Sequence, residues 1–232
     1  MTEPATFSML PIFLGVGNKD RNARFCIAGA PLDIGTTNRS GARFGPDAIR
    51  RASRMLVDGA HPNRWVNPSA SMQLADIGNF DIALGDIPKS LELIEKQAKS
   101  ISHLAALGGE HTITLALLRA LAKKRGPIGL VHFDAHVDTW KENFGQKYGH
   151  GSVFFHTIEE GLVDPRRTIQ IFSSTAARRC KRLIVEVNRN MPRVFGQSQI
   201  HVSELAAIVE NNVPLIKAGA ADRRPRASRS VP

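Results

Sequence analysis

Short apolar runs along this chain alternate with longer stretches whose apolar residues recur every three to four positions. The runs predict strands near Arg24–Ala30, Ser71–Asp76, Ser102–Leu107, Ile128–Asp134 and Thr168–Phe172. The helical spacing predicts a helix from Pro46 to about Leu56, with proline in its first turn. A second runs over Pro88–Ser100, with Leu91, Ile94, Ala98 and Ile101 on one face. A third runs from Thr112 to about Lys124, with Ile113, Leu117 and Leu121 four residues apart and Leu118 beside them. Glu204–Glu210 reads as a further helix. Strands separated by helices of this length imply βαβ units, hence an α/β fold in three α/β/α layers with a mainly parallel sheet. At 232 residues the chain is long enough for a substantial core. The connections Pro31–Pro46 and Asp138–Val153 are long for this class, and long loops at the carboxyl ends of strands usually carry function.

The predicted strand Ile128–Phe133 runs into Asp134-Ala135-His136-Val137-Asp138. Alternation would put Asp134, His136 and Asp138 on one side of an extended backbone. They would then converge outside the carboxyl end of the strand, where open α/β sheets bind ligands. Two carboxylates and an imidazole suit Mn²⁺, Fe²⁺ or Zn²⁺, and the set lacks the thiolates of a structural zinc site. The plainer alternative is that one of these residues caps the next element. Gly108-Gly109-Glu110-His111 also follows an apolar stretch and precedes a helix, and paired glycines allow positive φ and close backbone approach. Gly149-His150-Gly151-Ser152 comes next, its glycines leaving the imidazole accessible. A lone loop histidine is ordinarily plain surface; three such pieces in this order point to a site.

On these residues the chain resembles the ureohydrolase family: arginase, agmatinase, guanidinobutyrase and relatives. Gly108-Gly109-Glu110-His111 is similar to the family's Gly-Gly-Asp-His signature, with Glu for Asp at a position that is not a metal ligand. Asp134–Asp138 matches its Asp-Ala-His-x-Asp signature without departure. Gly29-Ala30-Pro31-Leu32-Asp33, Gly41–Pro46 and Gly149–Phe154 resemble the agmatinase and guanidino-acid branch more than arginase proper. The likeness covers roughly Phe25 to Ile171. It implies an arginase-like fold, a site for two Mn²⁺ ions, a small guanidino substrate and a homo-oligomer. His111 and Asp138 would bind one ion and His136 the other, with Asp134 bridging both. A hydroxide between the ions would attack the guanidinium carbon, and His150 would be the mobile proton shuttle that protonates the leaving amine. The products would be urea and an amine or amino acid. Formimidoylglutamate hydrolases share the same metal motifs.

After Ile171 the likeness ends. The family completes its metal site with a late Asp-x-Asp motif and holds the guanidinium with a later glutamate, whereas here the single later aspartate is Asp222. The expected organisation is therefore an incomplete ureohydrolase-like domain over 1–171, lacking the usual C-terminal strands. A divergent basic segment with a disordered end would occupy 172–232, through a frameshift, a truncated gene or an aberrant translation end. Two functions follow. One is an active guanidino hydrolase in which Glu186, Glu204 or Glu210 completes the second ion. The other is a truncated, catalytically defective fragment that retains a partial metal site.

Charge sharpens the division. The chain carries 31 Lys and Arg against 21 Asp and Glu, and from Phe172 onward eleven basic residues face four acidic ones. Such a tail could attract nucleic acid, but no aromatic residue is interleaved over Arg223–Arg229 to stack on bases. Nucleic acid is thus not an expected partner. Two cysteines give no disulfide framework, and a reducing cytoplasm is the simpler reading. No membrane span or secretory leader is expected. Among other residues, His132 reads as a core histidine. Arg39 and Arg43 suit either a carboxylate ligand or a salt bridge, Trp140 a pocket wall or a loop anchor, and Asp33 a turn hydrogen bond.

Overall fold

The computed structural model describes residues 10–56, 65–172 and 195–196. The helix expected at Glu204–Glu210, His61, Cys180 and the basic tail lie outside the described residues. The chain divides into two compact units, one of Met1–Lys124 with Asp138–His156, the other of Arg125–Val137 with Thr157–Pro232.

In the first unit three parallel strands take the order β2-β1-β3: β1 Phe25–Ala30, β2 Leu74–Asn79 and β3 Leu104–Gly108. β1 is central and reads as an apolar run because it is covered on both faces: Cys26, Ile27, Ala28 and Ala30 are buried. Ala30 lies opposite Gly108, so the loops that follow β1 and β3 leave from the same edge of the sheet. The helices are α1 (Gly45–Ser53), the short α2 (Pro68–Ser71), α3 (Ile87–Ala98), α4 (Ile113–Arg125) and α5 (Val153–Glu159). α1 starts on Pro46 with Asp47 in its first turn and Arg50 and Arg51 in its last, in accord with the helix dipole. α3 is capped by Asp86, whose carboxylate accepts from the Lys89 N–H at 2.8 Å. It buries Leu91, Ile94 and Ala98, as its spacing predicts. In α4 the buried residues are Ile113, Leu115, Ala116, Leu118 and Ala120, while Leu121 is exposed, so the face differs from the one expected.

A buried ion pair ties α1 to β2. Arg50 donates from Nε to Asp76 Oδ2 at 2.8 Å and from Nη2 to Oδ1 at 2.9 Å, and also bonds Asn79 Oδ1 and the Gly78 carbonyl. Burial pushes the Asp76 carboxyl up, and the Arg50 guanidinium with the Phe13 and Gly78 N–H groups outweighs it, so the net direction is down.

In the second unit β4 (Ile128–Asp134), β5 (Val163–Phe172) and β6 (Phe195–Gly196) pair in parallel in that order. β4 has the predicted limits. β5 begins five residues earlier than expected and takes in Asp164-Pro165, which the sequence places in a loop. Its register with β4 shifts over that stretch, where proline has no N–H for the ladder. No helix among the described residues is long and apolar enough to cross a membrane.

Candidate functional site

In the first unit the loop after β1, the turn after β3 and the segment leading into α5 carry the candidate side chains. His111 and Asp138 come together: Nδ1 lies 2.6 Å from Asp138 Oδ2, and both side chains are largely shielded. The imidazole meets the Phe154 ring edge-on at 5.4 Å between centroids. Asp138 has φ +49°, a left-handed conformation that aspartate tolerates better than most residues and that clusters at functional positions. Its carbonyl accepts the Phe154 N–H at 2.9 Å, which anchors the first turn of α5. Gly109, at φ +67°, is where a Cβ would run into the Ala30 and Leu32 backbones, so the paired glycines let the turn pass close to β1.

Asp33 is buried and its partners are internal. Its carboxylate accepts from the Gly41 N–H at 2.8 Å and the Arg43 Nε at 2.7 Å, and it forms an ion pair with Arg43. The Arg43 guanidinium holds this carboxyl at about 2 against an ordinary 3.8. Of the two uses foreseen for Arg43, the salt bridge is the one present, and Asp33 does serve as the loop's turn acceptor.

Glu110 is buried beside them. Its Oε1 accepts from the Gly35 N–H at 3.1 Å and its Oε2 from the Thr112 hydroxyl at 2.9 Å. Burial pushes the Glu110 carboxyl up, against these two bonds. His150 is half-buried, with Nδ1 2.9 Å from the Gly35 carbonyl oxygen. A carbonyl can only accept, so Nδ1 carries the proton and Nε2 is the basic nitrogen. The flanking glycines have a different use from the one expected. A Cβ at Gly149 would come within 2.8 Å of Asn143 Oδ1, and one at Gly151 within 2.7 Å of Asn143 Nδ2, so they make room for a buried asparagine. Trp140 is exposed, and its N–H donates to the Gly151 carbonyl at 3.1 Å, which ties the loop down.

In the second unit Asp134 ends β4. Its Oδ1 accepts from the His136 N–H at 3.0 Å, a local turn bond. His136 Nδ1 lies 3.8 Å from Oδ1, with its side chain 74% exposed. His132 is buried, with Nε2 3.5 Å from Asp134 Oδ2. Gln170 Nε2 donates to the Val137 carbonyl at 3.1 Å and to His132 Nδ1 at 3.2 Å. His132 therefore accepts at Nδ1 and, when neutral, carries its proton on Nε2, facing Asp134. Sequence alone makes His132 a core residue; its link to Gln170, 38 positions away, has no local signal.

Residues of metal-binding type are thus present, His111 and Asp138 in the first unit and His132 and Asp134 in the second. Arginase family is the description of the family model that matches this chain, over residues 23–221, a span that continues past Ile171. The human mitochondrial guanidino acid hydrolase is 43% identical over 147 residues, covering 62% of this chain and 42% of that protein. The mitochondrial agmatinase of Gallus gallus is 39% identical over 168 residues, covering 71% and 48%. The chain spans less than half the length of either relative. Among solved structures, proclavaminate amidino hydrolase from Streptomyces clavuligerus superposes with a TM-score of 0.74 at 28% identity, over 96% of this chain and 73% of that one. With parallel strands, an arginase-like α/β fold and a family match over most of its length, the chain belongs to the arginase family.

Proposed function

We propose that this chain hydrolyses a small guanidino compound, such as agmatine or a guanidino acid, to urea and an amine, with manganese as its metal. The observation that carries the reading is that the segment Asp134–Asp138 meets imidazoles at both ends. Asp138 is 2.6 Å from His111, and Asp134 has His132 and His136 at 3.5 and 3.8 Å. The donor chemistry fits manganese: carboxylate oxygens and imidazole nitrogens, with no thiolate. His111, Asp134, His136 and Asp138 would hold the metal. His132, protonated on Nε2, would orient Asp134 instead of binding. When bound, divalent ions lower the pKa of water enough to supply a nucleophile near neutral pH. The chain's own contribution is to fix the carboxylates and to hold His150 with Nε2 as its proton-transfer nitrogen. Protonated there, His150 gives a proton to the leaving amine nitrogen.

A second reading has support in the ligand count. After Ile171 the single aspartate is Asp222, so a chain that holds one ion and hydrolyses nothing remains in competition. Calorimetric Mn²⁺ stoichiometry, followed by urea release from agmatine, guanidinobutyrate and guanidinopropionate, separates them. Two ions with urea supports hydrolysis; one weak ion without urea sinks it. We assign the protein to the cytoplasm on its cysteine usage, since Cys26 is a buried free thiol. Cell fractionation checks this, with a mitochondrial signal overturning it.

A further inference from the structure

His150 lies 115 residues along the chain from the carbonyl that holds it, and the glycine that supplies that carbonyl is itself held through its N–H. The Gly35 oxygen accepts from the His150 ring at 2.9 Å and from the His150 backbone N–H at 3.5 Å. The Gly35 N–H donates to Glu110 Oε1 at 3.1 Å. The approach is close enough to need glycine, because a Cβ on residue 35 would come within 2.7 Å of Glu110 Oε1 and 3.0 Å of Oε2. Glu110 is 5% exposed and its other oxygen is engaged by Thr112, whose hydroxyl also lies 3.4 Å from the Tyr148 carbonyl, two residues before His150. One buried carboxylate thus braces the residue whose carbonyl binds the ring.

We propose that Glu110 is a positioning residue for His150: by holding Gly35 in place it fixes the Nδ1–H tautomer and leaves Nε2 as the proton-transfer nitrogen. The proposal rests on the hydrolytic reading only in giving His150 a proton to transfer. The neutral histidine side chain in water prefers the Nε2–H form, so the Nδ1–H form here has to be imposed by its acceptor. A Gly35 carbonyl free to turn would release it. The N–H and carbonyl of Gly35 lie in successive peptide groups joined at its Cα; with the N–H pinned by Glu110 and the carboxylate packed against that Cα, the carbonyl has less freedom to swing away from His150.

The test needs neither manganese nor substrate. The ¹⁵N spectrum of the His150 ring in the metal-free protein should place the pyrrole-type nitrogen at Nδ1. In Glu110→Ala that signal should be lost from Nδ1 and appear at Nε2. Glu110→Gln should restore it, since the amide oxygen still accepts from Gly35 and the NH₂ can donate to Thr112 while its hydroxyl turns to Tyr148. A Glu110→Ala protein that melts cooperatively and keeps Nδ1–H overturns the proposal. Should Glu110→Ala fail to fold, the unsubstituted protein decides: a slowly exchanging Gly35 amide supports the brace, and a freely exchanging one removes it. A protein with the Nδ1–H form that releases no urea counts against the hydrolytic function and leaves the role of Glu110 standing.

Discussion

In the loop beyond β1, Asp33 is bound by the Arg43 guanidinium, while at the end of β4 Asp134 has imidazoles beside it, at 3.5 and 3.8 Å. The same contrast separates Asp76, gripped by Arg50 inside the first unit, from Asp138, which faces His111. An arginine is permanently charged, has no lone pair and fills a carboxylate with its fork. A carboxylate so held is structural. A neutral imidazole brings a lone pair of its own, so it can stand beside the carboxylate on a cation. The identity of the neighbouring base, and not the aspartate itself, divides scaffold from site.

Four experiments bear on that division. The largest effect is expected from Arg50→Ala, which leaves Asp76 buried without its charge partner and should cost about 3–5 kcal/mol by chemical denaturation. A loss below about 1 kcal/mol would break the scaffold half of the contrast. Asp138→Ala should leave the denaturation midpoint of the metal-free protein nearly unchanged and weaken Mn²⁺ binding by about 100-fold or more in calorimetry. Destabilisation as large as that of Arg50→Ala would make Asp138 scaffold too.

Acid comes next. The Asp33 carboxyl is held at about 2, below its ordinary 3.8, so its contribution to stability is present above about pH 4 and is lost as pH falls through about 2. The shift corresponds to an upper value on the order of 2 kcal/mol, reduced because the Arg43 side chain is 43% exposed to screening water. The stability gap between the wild type and Arg43→Gln should therefore close on acidification from about pH 6 to about pH 2. A gap independent of pH would detach Asp33 from Arg43. The smallest effect should come from His132→Phe, about tenfold in Mn²⁺ affinity, the cost of losing a group that orients a ligand. A loss equal to that of Asp138→Ala would make His132 a ligand itself.

Much of this was legible in the chain because local signals agreed. β4 ends at Asp134 as its apolar run predicts, and proline in the first turn marks the start of α1. The buried face of α4 was not readable, because apolar residues surround that helix and no stripe stands out. α5 escaped notice for the opposite reason. Val153-Phe154-Phe155-His156 is poor in strong helix formers, and the turn is started by a bond from the Phe154 N–H to the Asp138 carbonyl, 16 residues away. Ligand-type residues at the candidate site could be named from spacing. Their supporting partners, Gln170 for His132 and Gly35 for His150, depend on contacts between distant segments, and no local pattern encodes them.

If His150 is the proton carrier proposed above, the Gly35 carbonyl makes its traffic one-ended. With Nδ1–H committed to a peptide oxygen, the ring cannot take a proton on one side and pass it out on the other. On the proposed hydrolytic reading, loading and unloading would both happen at Nε2, in alternation, so the ring would work as a ferry and not as a wire. Turnover would then wait on a carrier from the medium to reload that single nitrogen.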